Sequence, residues 1–148
     1  MFGAGGGTCS YQEIHEADVI LLWGSNAREA HPIFFHHVMK GLDNGARMYA
    51  VDPRRTSSSR FADAWLGLDV GTDIALANAV ARHIIANGWH NPAFIEHSTT
   101  GFAQYAAAVD PYTLDEAERI TGVPAGAIAE MAEAYAKADK AQILWTLG

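Results

Sequence analysis

Apolar runs separated by glycine- and asparagine-rich breaks divide the chain into alternating strand and helix patterns. Asp18-Val19-Ile20-Leu21-Leu22-Trp23 is a short branched run that stops at Gly24-Ser25-Asn26, the pattern of a buried strand ending in a turn. His31-Pro32 places proline where a first helical turn tolerates it. Ile33, Phe34, His37, Val38 and Leu42 then recur at helical spacing until Asn44-Gly45 breaks the pattern. Met48-Tyr49-Ala50-Val51 resumes as a strand. Strand, helix and strand in succession predict a βαβ unit with parallel strands, which brings both strand ends to one edge.

The second half reads as mostly helical. Gly71-Thr72-Asp73 offers a capping side chain ahead of Ile74, Leu76, Ala77, Val80, Ala81, Ile84 and Ile85, and Asn87-Gly88 closes that run. Phe94, Ile95, Phe102, Tyr105 and Val109 predict two short helices, with the aromatic residues Phe94, Phe102, Tyr105 and Tyr112 assigned to the core. Thr113-Leu114-Asp115-Glu116 is a capping box that starts another. A further helix follows Val123-Pro124, with Ala127, Ile128, Met131, Ala132 and Tyr135 on one face. Gln142-Ile143-Leu144-Trp145-Thr146-Leu147 is a third strand. The whole reads as one α/β domain over residues 1–148 with a parallel sheet.

Composition adds exclusions. A chain of 148 residues that is 49% hydrophobic and 18% charged can bury a core and lies far from the disordered range. A formal charge of -7 opposes a phosphate-tracking groove, so nucleic acid is not an expected partner. The run Val19 to Trp23 is far shorter than the about 20 residues of a membrane span. Met1 to Gly7 carry no charge and no apolar core, and a single cysteine, Cys9, allows no internal disulfide. A reducing cytoplasm is the expected location.

Ligands of open α/β sheets bind beyond the carboxyl ends of the strands, which singles out Gly24 to His31 and Asp52 to Ser59. Gly24 lets backbone approach a diphosphate, and Ser25 and Asn26 offer side-chain hydrogen bonds. The helix opening at Pro32 presents free amides. Asp52 follows the second strand, where a carboxylate can accept from ribose hydroxyls or a guanine edge, and Arg54 and Arg55 can clamp phosphate. The alternative for Asp52-Pro53-Arg54 is a plain turn with a solvated salt bridge. Gly3-Ala4-Gly5-Gly6-Gly7-Thr8 lacks a preceding strand and reads as a flexible loop. His31, His36 and His37 do not share a helical face at ligand spacing, and His15-Glu16 lacks a second histidine, so no metal ligands are assigned.

Gly24-Ser25-Asn26-Ala27-Arg28-Glu29-Ala30-His31-Pro32, then Asp52-Pro53-Arg54-Arg55-Thr56, then Gly71-Thr72-Asp73-Ile74-Ala75-Leu76 occur in an order that resembles the molybdopterin oxidoreductases. The likeness is closest to the catalytic subunits of molybdenum- or tungsten-dependent formate dehydrogenases. Gly101-Phe102, Tyr112-Thr113, Ile120-Thr121-Gly122-Val123 and Ile143-Leu144-Trp145 extend it along the chain. The resemblance implies a Rossmann-like three-layer αβα region that holds one guanine dinucleotide of a bis(molybdopterin guanine dinucleotide) cofactor with molybdenum or tungsten. By matching position, Gly24, Ser25, Asn26 and Glu29 would line one dinucleotide with His31 at its edge. Asp52, Pro53 and Arg54 would contact the guanosine, and Gly71 and Asp73 would close the pocket.

The family's 4Fe-4S cysteines and its metal-ligating cysteine or selenocysteine have no counterpart in this sequence, and Cys9 is not assigned as a metal ligand. The chain is therefore expected to be an internal piece of a formate-oxidising subunit. Its implied partners are the remaining domains of the same polypeptide and electron-transfer subunits. Alternatives are a related enzyme, such as a nitrate reductase or the corresponding subunit of a respiratory NADH dehydrogenase, or a free-standing guanine-nucleotide-binding module without redox chemistry.

Overall fold

The computed structural model describes residues 9–145 and divides the chain into two compact units, 1–65 with 138–148, and 66–137. The expected glycine-rich loop at Gly3 to Thr8, and Thr146 and Leu147 of the expected third strand, lie outside the described residues.

In the first unit, Val19–Trp23 forms β1, Ala27–Ala30 the single-turn helix α1, Pro32–Asp43 helix α2 and Arg47–Val51 strand β2. Two further strands, β3 (Ala64–Leu66) and β4 (Ala141–Trp145), complete a four-stranded sheet in the order β3-β2-β1-β4. Strand β1 pairs in parallel with both β2 and β4, with Val19 opposite Arg47 and Ala141 and Trp23 opposite Val51 and Trp145. The α/β class and the parallel sheet therefore match the sequence reading. Strand β3 does not feature in that reading. It has only three residues and too little alternation to register as a period.

Ile20, Leu22 and Met48 share one sheet face and pack with Phe34, Phe35 and Val38 of α2. Leu21, Tyr49 and Val51 are buried as well, so β1 and β2 are covered on both faces. That double burial explains an unbroken apolar run in place of alternation, and each large side chain so buried contributes about 1.5–3 kcal/mol. A 3-10 turn at Glu13–Glu16 adds Ile14, which is fully buried in the same cluster.

In the second unit, Asp73–Ala86 forms α3, Pro92–Ser98 α4, Phe102–Val109 α5, Leu114–Thr121 α6 and Ala125–Lys137 α7. Leu76 and Ala79 of α3, Ala117 of α6 and Ile128, Met131 and Ala132 of α7 are among its buried apolar positions. The Thr113 hydroxyl caps α6 by accepting from the Glu116 N–H at 3.1 Å, as the capping box predicts. Thr72 differs from expectation. Its hydroxyl donates back to the Asp69 carbonyl at 2.6 Å and closes the preceding turn, so it makes no cap bond to α3. Phe94 and Tyr105, expected in the core, are 60% and 48% exposed: apolar spacing sets a side chain's direction, not whether another element covers it.

Gly41 in α2 sits where the helix meets the 3-10 turn. A Cβ there would lie 2.7 Å from the Ile14 carbonyl oxygen and 3.2 Å from Ile20 Cδ1. Replacing glycine by alanine inside a helix ordinarily gains about 1 kcal/mol, but displacing packed backbone costs about 1–3 kcal/mol. The clash is with main chain, so it dominates. Gly41→Ala is expected to lower the urea midpoint; an unchanged or raised midpoint would refute this packing.

Candidate functional site

The parallel register brings the chain out of β1 and β2 at the same edge, where Gly24 donates its N–H to the Val51 carbonyl at 2.7 Å. Gly24 has φ of 60°, a left-handed conformation that costs other residues about 1–2 kcal/mol. Buried Ser25 and half-buried Asn26 follow, then α1, so the expected loop from Gly24 to His31 is shortened by one helical turn. His31 stands exposed between α1 and α2, and Glu29 is exposed on α1.

Asp52 emerges from β2 almost fully buried, with 6% of its surface exposed. Its Oδ1 accepts from the Arg54 N–H at 2.8 Å, an Asx turn around Pro53. Its backbone carbonyl accepts from the indole N–H of Trp65 at 2.8 Å. One carboxylate oxygen is thus committed to the turn. Arg54 and Arg55 are exposed, and the Arg55 guanidinium lies 5.9 Å from the Trp65 ring centre, within cation–π range.

The two strand-end loops are tied together by serines. Ser58 accepts from the Arg28 N–H at 2.9 Å, and its hydroxyl lies 3.1 Å from Asn26 Oδ1. The Ser57 hydroxyl reaches both Glu29 Oε1 at 2.8 Å and Asn26 Oδ1 at 3.1 Å. Gly24, Ser25, Asn26, Glu29, Asp52, Pro53 and Arg54 therefore belong to one loop pair. Ser57, Ser58 and Trp65 are additions that sequence reasoning did not single out. A serine run directly after a strand-end Asp-Pro-Arg turn was the available signal for the two hydroxyls.

Gly71 and Asp73 belong to the second unit. Gly71 has φ of 84° in the turn before α3, and Asp73 opens that helix, where a carboxylate is favoured by the dipole. Val70 and Ile74 on either side are 87% and 73% exposed, although Ile74 fits the apolar stripe of α3.

Another pairing escaped the sequence spacing altogether. His15 Nε2 and His37 Nδ1 lie 2.8 Å apart, with ring planes within 9° and centroids separated by 4.9 Å. Parallel planes at that separation describe an edge-to-edge hydrogen bond, not a face-to-face stack. Among the described residues, no group of three or more His, Cys, Asp or Glu side chains is arranged to hold a metal ion. No described helix is long and apolar enough to cross a membrane.

The family model described as molybdopterin oxidoreductase matches residues 3–148, and the chain belongs to that family. It is 37% identical over 147 residues to F420-dependent formate dehydrogenase 2 subunit alpha of Methanococcus maripaludis, covering 99% of this chain and 22% of the relative. It is 38% identical over 146 residues to formate dehydrogenase H of Escherichia coli, covering 99% of this chain and 20% of that enzyme. Among solved structures, acetylene hydratase from Pelobacter acetylenicus matches with a TM-score of 0.80 and 28% identity, over 92% of this chain and 21% of that one. The chain spans about a fifth of the length of the curated relatives it matches.

The histidine pair gives a pH dependence with a defined sign. Desolvation, followed by the positive charges of His15, Lys40 and His36, holds His37 below the ordinary imidazole value. The unfolded chain then binds more protons than the folded one at pH values just below about 6.5, so stability falls as pH drops through that window. His37→Gln is expected to flatten the fall in urea midpoint between pH 7 and pH 5; an unaltered slope would acquit the pair.

Proposed function

We propose that this chain binds one guanine dinucleotide of a bis(molybdopterin guanine dinucleotide) cofactor, within a polypeptide that oxidises formate to carbon dioxide. The observation that carries the reading is the loop pair at the sheet edge. Gly24 sits in a left-handed turn beside a buried Asp52 carboxylate, and the second loop is bonded to the first through Asn26. The likeness to formate dehydrogenase subunits supports formate as the substrate.

The residues present fit such a group. The absence of a Cβ at Gly24 admits a diphosphate close to the backbone, and Asn26, Arg54 and Arg55 supply donors. The carboxylate of Asp52 accepts from a sugar hydroxyl or a guanine edge. Glu29 and His31 border the same loop, and Gly71, in the turn before α3, and Asp73, which opens that helix, are further candidate ligand residues by their positions in the family motif. When bound, the cofactor supplies two-electron chemistry with molybdenum or tungsten, while the protein binds and orients it. The 4Fe-4S cluster, the metal's protein ligand and the electron-transfer partners belong to other parts of the assembly, which works in the cytoplasm.

The likeness to a hydratase favours a second reading, in which the same cofactor site serves a sister reaction on another small substrate. Nitrate reduction falls in that group. Both readings require the same dinucleotide site.

Removing a buried carboxylate that accepts hydrogen bonds from a ligand costs about 1.5–3 kcal/mol, or roughly ten- to a hundredfold in affinity. Asp52→Ala in the complete polypeptide is therefore expected to lower guanine and metal content well below one equivalent, and Asp73→Ala, which removes an exposed carboxylate at the start of α3, is expected to lower it as well. Full content in both purified variants would refute the site.

A further inference from the structure

We propose that Ser58 is a positioning residue that locks the Asn26 side-chain amide with its NH2 group outward, so that the mouth between the two loops selects phosphate oxygens of a nucleoside diphosphate. The inference rests on the dinucleotide reading above and goes further, assigning the donor and the residue that sets its direction.

Proton counting carries the argument. Ser58 is completely buried, and its oxygen already accepts the Arg28 N–H at 2.9 Å. Its single hydroxyl proton must find an acceptor, because a buried hydroxyl rarely goes without one. Asn26 Oδ1, 3.1 Å away, is that acceptor. Ser57 does not duplicate this role. It also has one proton, and the Glu29 carboxylate at 2.8 Å is closer and charged, so it takes that proton ahead of the Asn26 oxygen at 3.1 Å. Ser57 is partly exposed and can complete its hydrogen bonding with water, which Ser58 cannot.

The amide therefore has a fixed sense. Its oxygen faces Ser58 and Ser57, and its NH2 points away from both, on the loop that opens at Gly24. A donor in that position favours acceptor oxygens, and a phosphate carries several. Turning the amide over would strand the buried Ser58 proton, so Ser58 excludes the orientation that would present an acceptor.

Asn26→Asp separates direction from structure, since a carboxylate keeps an acceptor for Ser58 and replaces only the outward NH2. The probe is GDP, titrated into the cofactor-free complete polypeptide. Asn26→Asp is expected to weaken GDP binding at least tenfold with an unchanged urea midpoint, and Ser58→Ala to weaken it about three- to tenfold. The double variant is expected to bind no worse than Asn26→Asp alone, because Ser58 acts through the NH2 that this variant already lacks; a merely structural role would make the two losses add. Native-like GDP binding by Asn26→Asp, or additive losses in the double variant, would overturn the inference and leave the dinucleotide reading standing. No GDP binding by the native polypeptide would overturn both.

Discussion

The parallel pairing of β1 with β2 is the constraint on which the candidate site depends. With Val19 opposite Arg47 and Trp23 opposite Val51, Gly24 and Asp52 are the first residues beyond the sheet on adjacent strands. Every contact between the two loops follows from that adjacency. The register is held by the core, not by the loops. A slip of one residue would turn Ile20, Leu22 and Met48 away from Phe34, Phe35 and Val38 and expose what the α2 face now buries. The close approach of Gly41 to Ile14 presses α2 onto the same layer. Core packing and loop geometry are thus linked, and a mutation that disturbs this register also moves Asp52.

The βαβ unit was legible because its signals are local: a branched run, a proline at a helix start and an Asn-Gly stop. The same holds for the α6 cap, where Thr113 and Glu116 stand three apart. Features that depend on tertiary placement were not legible. His15 and His37 meet only because Ile14 docks the 3-10 turn against α2, and their separation in sequence carries no period. Ser58 reads as one polar residue in a loop until burial leaves it a proton with a single acceptor. Ile74 is a failure of the opposite kind. Helical spacing assigned it to an apolar stripe, but a stripe gives a side chain's direction without saying whether anything covers it.

The candidate ligand groups sort into two chemical senses, and the sorting explains how an acidic chain can offer an anion site. A formal charge of -7 repels phosphate at long range, yet at physiological ionic strength that field is screened over about 8–10 Å. Recognition is decided inside that distance, by groups at contact. Asn26 is held as a donor by Ser58, and Arg54 and Arg55 are cations in the neighbouring loop, with Arg55 close to the face of Trp65. Asp52 meets the opposite requirement: it is an acceptor, with one oxygen used by the Arg54 N–H that fixes the turn around it. A nucleotide has both complements, with acceptors on its phosphates and donors on its sugar and base. A simple anion would satisfy the first set and meet repulsion from Asp52. A neutral sugar would satisfy Asp52 and leave the Asn26 NH2 and the arginines to water. The pairing of a locked donor with a buried acceptor on adjacent strand ends therefore argues for a ligand that carries phosphate and hydroxyl chemistry in one molecule.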